Sequence, residues 1–161
     1  MFKFLKYCSI LLVIWSCAGT SSGTKNIKSN YTVNVGVATL DDIQKIYTKV
    51  FTKYLYQLER EEEFGSRLYV ETQWKDRKPF EDEKAAGVVA VRSRIILQTR
   101  PRIKSGVSYN LHQVQFIAEN LVKYHLDENW HPAPLTKMCR DYFKKIANDF
   151  KLDLTSIVRE Y

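Results

Sequence analysis

The chain has little glycine and little proline, six and four in 161 residues. That composition excludes a disordered stalk or adhesin, which needs a freer and less apolar backbone. Ten tyrosines and eight phenylalanines instead supply bulk for a core. The apolar stretch Cys8 to Trp15 is too short to cross a bilayer as a helix. The sequence has no Gly-x-Ser-x-Gly elbow, no glycine-rich phosphate loop and no dinucleotide fingerprint. The acidic runs Glu59–Glu63 and Glu81-Asp82-Glu83 lack calcium-loop spacing and read as solvated charge. No cofactor, metal site or catalytic residue is assigned on these patterns, and an enzyme is the minority reading.

The N-terminus carries more information. Lys3 and Lys6 precede the apolar stretch, and Ser16, Cys17, Ala18 and Gly19 follow it. This order is that of a secretory signal with a cleavage site. The segment Ile14-Trp15-Ser16-Cys17 resembles the lipobox of bacterial lipoproteins. The resemblance implies that residues 1–16 are removed and that Cys17 becomes the lipidated first residue. It departs from the family at Trp15, where a small or β-branched residue is usual. Ordinary cleavage after Ala18 is the alternative, because Ser16 and Ala18 also satisfy a small-x-small pattern. Cys139 is left without a partner on either path, so no intramolecular disulfide is expected. Ala18, where many inner-membrane lipoproteins have Asp, implies transfer to the outer membrane.

Residues 17–30 are small and polar and read as a tether. Residues 31–161 have the length of one domain. Loss of Lys3 and Lys6 takes the formal charge from +7 to about +5. That excess suits a phospholipid or lipopolysaccharide surface, or serves solubility alone. Nucleic acid is not an expected partner of an exported chain.

Hydrophobic periodicity predicts a first strand over 31–38 and a helix from Leu40 to Leu58, capped by Thr39 and stopped by Gly65. The Glu59–Glu63 run reads as its fraying end. Alternation predicts strands over 67–75, 87–99 and 107–122. A charged loop, 76–84, separates the first two. The last of the three changes phase between Leu111 and Val114, which suggests a bulge or an edge. Pro134 opens a final helix through Phe150. The expected fold is α+β: a two-layer sandwich of order β-α-β-β-β-α. A four-stranded, mainly antiparallel sheet carries both helices on one face.

The other face would expose Arg67, Glu71, Lys75, Arg92 and Arg94. With Arg100, Arg102 and Lys104, the arginines form a candidate basic strip for a partner or an anion, suited to bidentate contacts. The competing reading is a solvated face whose arginines pair with Glu71 and its neighbours. His125, Asp127 and His131 form a second candidate, for metal or acid–base chemistry, but they lack the spacing of a helical zinc site and read better as a loop. Cys139 lies on an apolar helix stripe and reads as a core thiol. The segment from Glu71 to Arg77, with Trp74 at its centre, is distinctive but has no evident role.

The lipobox, tether and element order together resemble small outer-membrane lipoproteins of envelope assembly, such as those of lipopolysaccharide assembly. The resemblance implies lipid attachment at Cys17, outer-membrane location and an envelope protein as partner. It transfers no residue beyond Cys17. The expected function is therefore a non-enzymatic docking subunit. Binding of an anionic lipid or glycolipid is the first alternative, and an exported enzyme with a His/Asp site is the second.

Overall fold

A computed structural model of the chain describes residues 29–102, 110–126 and 129–158. Residues 17–28 of the expected tether, with Cys17, and Lys104 and Asp127 lie outside them, whereas Asn30, the tether's expected last residue, opens the first strand. The fold is α+β, with three helices and an open sheet of seven strands in which every described pairing is antiparallel.

Strand β1 (Asn30–Ala38) leads through Thr39 into α1 (Leu40–Lys53). Thr39 caps that helix: its hydroxyl accepts from the Asp42 backbone N–H at 3.3 Å and donates to the Asp42 carboxylate at 2.7 Å. The helix stops earlier than periodicity predicts. Leu55 adopts φ +57°, its N–H donates to the Thr52 carbonyl, and Tyr56 N–H donates to the Phe51 carbonyl. This is a Schellman-type ending with leucine where glycine is usual.

The chain released there forms β2 (Leu58–Phe64), turns at Gly65 (φ +61°) and returns as β3 (Arg67–Thr72). The Glu59–Glu63 run is thus an edge strand and not a frayed helix end. Dense charge on its side chains opposes pairing of its free edge with another chain.

Strand β4 (Lys75–Arg77) continues along β5 beyond a break at Gln73-Trp74. The expected loop 76–84 contains the end of β4 and the short helix α2 (Glu81–Ala85). Strands β5 (Ala90–Pro101) and β6 (His112–Lys123) pair over their whole length. Strand β7 (His131–Pro132) adds two residues beside β6, and α3 (Lys137–Val158) completes the fold. The sheet order is β1-β6-β5-β3-β2, with β4 against β5 and β7 against β6. The expected four strands therefore become seven. The bulge or edge position expected near Leu111 is not found in β6, which lies between β1 and β5 and pairs with β5 without interruption; the register shift beside it is in β1, between Asn34 and Gly36.

Helices α1 and α3 share a core with one face of the sheet, built from Ile43, Val50, Phe116, Ile95, Phe143 and Phe150 among others. A chain of ring contacts crosses it. Phe51 of α1 meets Phe150 of α3, Phe150 meets Phe116 of β6, and Phe116 meets Tyr31 of β1. Edge-on and tilted pairs of this kind add to their area burial.

The two helices are also clamped at their rims. Asp149 accepts from Lys53 Nζ and from the Tyr54 hydroxyl, both at 2.7 Å. The hydrogen bond from Lys53 holds the Asp149 carboxyl below its ordinary pKa, against the opposing effect of burial. A carboxyl depressed on folding stabilises the protein above its unfolded pKa of about 3.9 and loses that effect as pH falls through the lower folded value. The stability difference between the native chain and Asp149→Asn is therefore expected to shrink as pH drops below about 4 in urea titrations.

Candidate functional site on the open face of the sheet

Strand alternation sends Val91, Ser93, Ile95 and Leu97 of β5 toward the helices. It sends Arg92, Arg94, Ile96 and Gln98 to the opposite face. Register places Glu119 beside Arg94, Leu121 beside Arg92, and Glu71 beside Ile96. No described element covers this second face. Arg92 and Arg94 lie on the expected face, but Lys75 does not: the break at Gln73-Trp74 shifts the phase, β4 pairs Lys75 with Ser93, and the Lys75 Nζ donates to the Tyr54 carbonyl at 2.6 Å. Glu71 is on the expected face but buried, and the arginines do not form a uniform strip.

Arg94 is neutralised. Its Nε donates to Glu119 at 2.6 Å, and its Nη1 donates to Glu71. Burial disfavours the Arg94 charge, and the hydrogen bond and charge of Glu119 more than offset it, so its pKa is raised. Tyr69 donates to the other Glu71 oxygen at 2.7 Å.

Arg92 is held differently. Its guanidinium carbon lies 4.7 Å from the Trp74 ring centroid and 4.6 Å from that of Trp130. The guanidinium is therefore stacked against two indoles. Arg94 lies 4.6 Å from Trp74, and Lys123 lies 4.9 Å from Trp130. The result is a ladder in the order Lys123, Trp130, Arg92, Trp74, Arg94. Each exposed cation–π contact contributes about 0.5–1 kcal/mol, more where water is excluded. Among the described residues no acceptor meets the Arg92 Nε, which is buried.

Arg67 and Arg100 are exposed near the far end of the face, and Arg102 follows β5. Ten residues of strand separate Arg92 from Arg102, roughly 30 Å. The arginines named from sequence thus span the whole sheet and do not converge.

The Glu71–Arg77 segment acquires its roles here. Glu71 holds Arg94, the Thr72 hydroxyl accepts from Ile95 N–H at 2.9 Å, and Trp74 stacks the two arginines. Arg77 points to the other face, because β4 pairs Arg77 with Val91. There it donates to Glu83 twice, at 2.7 and 2.6 Å, to Asn120 at 3.1 Å and to the Cys139 sulfur at 3.3 Å. The Glu83 side chain is 2% exposed. Glu83 also accepts from Phe80 N–H at 2.8 Å, which ties α2 to the network.

Burial pushes the Cys139 thiol up to about 12, despite the neighbouring Arg77 charge. The thiolate is the reactive form, and the sulfur is buried as well, so both effects oppose its reaction in the folded protein. Cys139 is expected to resist a maleimide in native buffer and to react fully in denaturant, with mass spectrometry as the measure.

The histidine candidate is not assembled by the described residues. His125 is exposed after β6, His131 lies in β7 beside Val122, and Asp127 falls outside the described residues. Among the described residues no group of three histidine, cysteine or acidic side chains is placed to hold a metal. Sequence reasoning missed Trp130, Glu119 and Glu83. Strand alternation puts Glu119 on the face of Arg94. Nothing local marks Trp130, because β7 is two residues long. No family model matches the chain, and no curated protein matches it either.

Proposed function

We propose that the chain is a lipoprotein held at the outer membrane by acyl groups on Cys17. In this reading it acts as a non-enzymatic docking subunit in cell-envelope assembly or maintenance. The support from sequence is the signal-like N-terminus ending in Ile14-Trp15-Ser16-Cys17. The single structural observation behind the docking role is the face of the sheet that no described element covers.

Its far end presents Phe64, 63% exposed, with Arg67 beside it in register and Arg100 exposed on β5. Arginine next to an aromatic ring is a common composition for a protein interface. Arg94 is not part of this surface, because Glu71 and Glu119 already hold it.

Two measurements test the proposal. Intact mass of the membrane fraction should show a chain beginning at Cys17 and carrying acyl groups, and Cys17→Ser should lose them. A photo-reactive residue at Gln98 should then give one discrete heavier species in membranes, and Arg67→Glu with Arg100→Glu should remove it. A soluble chain starting after Ala18 refutes the anchor. Cross-linking unchanged by the double charge reversal refutes docking through this surface.

A further inference from the structure

The near end of the sheet, where the Trp ladder lies, has a different character from the far end. Three segments meet there: the end of β4, the turn between α2 and β5, and the loop after β6. Register fixes this, because Arg77 pairs with Val91, Ala90 with Lys123, and Val89 N–H donates to the Lys123 carbonyl at 2.9 Å. Large apolar side chains protrude from two of these segments. Val89 is 46% exposed, Tyr124 38% and Leu126 78%. Ala85 and Ala86 are exposed beside them. Trp130 and Val89 line a cleft of about 470 Å³ with Lys78 and Arg77.

The ladder supplies two amphipathic indoles and two cations, Arg92 and Lys123. Arg92 is distinctive because its partners are both ring faces. With indoles as its neighbours and its Nε buried, Arg92 has its two Nη groups left as donors for an oxyanion, a pair that suits a phosphate. Arg94 shows the contrast, with its donors spent on Glu71 and Glu119.

Strand β1 starts nearer this end than the other. Asn30 pairs with Glu119, and β1 then runs away from Lys123 toward His112. Indoles, basic side chains and exposed apolar tips together are the composition of a membrane–water interface.

We propose that this end of the sheet lies against the headgroup layer of a phospholipid bilayer, with Arg92 taking a headgroup phosphate beside Trp74 and Trp130. Leu126 and Val89 enter the acyl boundary. Zwitterionic and anionic phospholipids both carry the phosphate diester, so the contact does not need net negative lipid. It deepens the membrane attachment proposed above, and it orients the domain so that the far end of the open face points away from the bilayer.

The chain has three tryptophans, and Trp15 precedes both candidate cleavage points, so in the processed chain only Trp74 and Trp130 emit. The test uses the processed chain, its first residue fixed by intact mass, bound to phosphatidylcholine–phosphatidylglycerol vesicles containing lipid brominated near the headgroup. Quenching of tryptophan emission is expected, together with a blue shift. Leu126→Asp, at an exposed site, should abolish the quenching, and Arg92→Gln should reduce it. Circular dichroism confirms that both variants fold.

A vesicle-bound chain with no quenching overturns the proposal. So does quenching that is indifferent to both substitutions, or an emission change produced by inorganic phosphate alone with none in vesicles. Intact mass of the same samples reads acylation separately. Quenching without acyl groups upholds the contact and removes the anchor. Acylation without quenching keeps the anchor and overturns the contact.

Discussion

Arg77→Ala is expected to lower the folding free energy by about 3–5 kcal/mol, the cost of leaving one member of a buried ion pair alone. Glu83 is the reason: it stays buried with its carboxylate facing neither water nor a cation. Asn120 loses its donor as well, and the Phe80 ring loses the guanidinium 4.2 Å above it. Urea denaturation reads the effect as a lower midpoint at unchanged slope. A partner removal is harsher than a pair replacement, so Arg77→Met combined with Glu83→Leu should recover most of the stability. A loss below about 1 kcal/mol for Arg77→Ala would match an exposed pair and contradict the burial seen here.

Phe150→Ala should cost a similar amount, about 3–5 kcal/mol, through a different mechanism. The side chain is 1% exposed and lies between layers, 5.8 Å from Phe51 of α1 and 5.7 Å from Phe116 of β6 by ring centroid. Its removal opens a cavity at the junction of both helices with the sheet, and a dense core closes such a cavity only in part. Two residues along, Leu152 is 68% exposed. Leu152→Ala should therefore stay within about 0.5 kcal/mol of the native chain. Thermal or urea unfolding of both variants decides the matter: equal losses would place Phe150 outside the core.

Much of the fold is legible in local pattern. The apolar stripe of α1, with Ile43, Ile46, Tyr47 and Val50, is buried as its spacing predicts. The alternation of β5 sends Arg92 and Arg94 to the face opposite the helices. The stripe of α3 buries Cys139, Phe143, Ile146 and Phe150.

Three things were not legible. Tyr54, Leu55 and Leu58 continue the helical apolar spacing of α1, and only the left-handed backbone at Leu55 ends the helix early and releases the chain into a strand. Leucine gives no signal for that conformation, whereas glycine would have. Residues 76–84 are charged enough to read as a loop, yet Arg77 and Glu83 bury each other there. Charge is a guide to exposure only when no partner is at hand. Strand β7 is too short to carry any period.

By itself the sequence determined the class of the fold, the two faces of the long strands and the core stripes of the two long helices. Each depends on a period of side chains along a single element. It also raised the lipid-anchor reading, which rests on a few neighbouring residues. The tertiary structure alone decided which arginines are spent and which are available. That depends on strand register, which sets Glu119 beside Arg94, and on a loop that carries Trp130 to Arg92. Such contacts join residues tens of positions apart, and no periodicity along the chain encodes them.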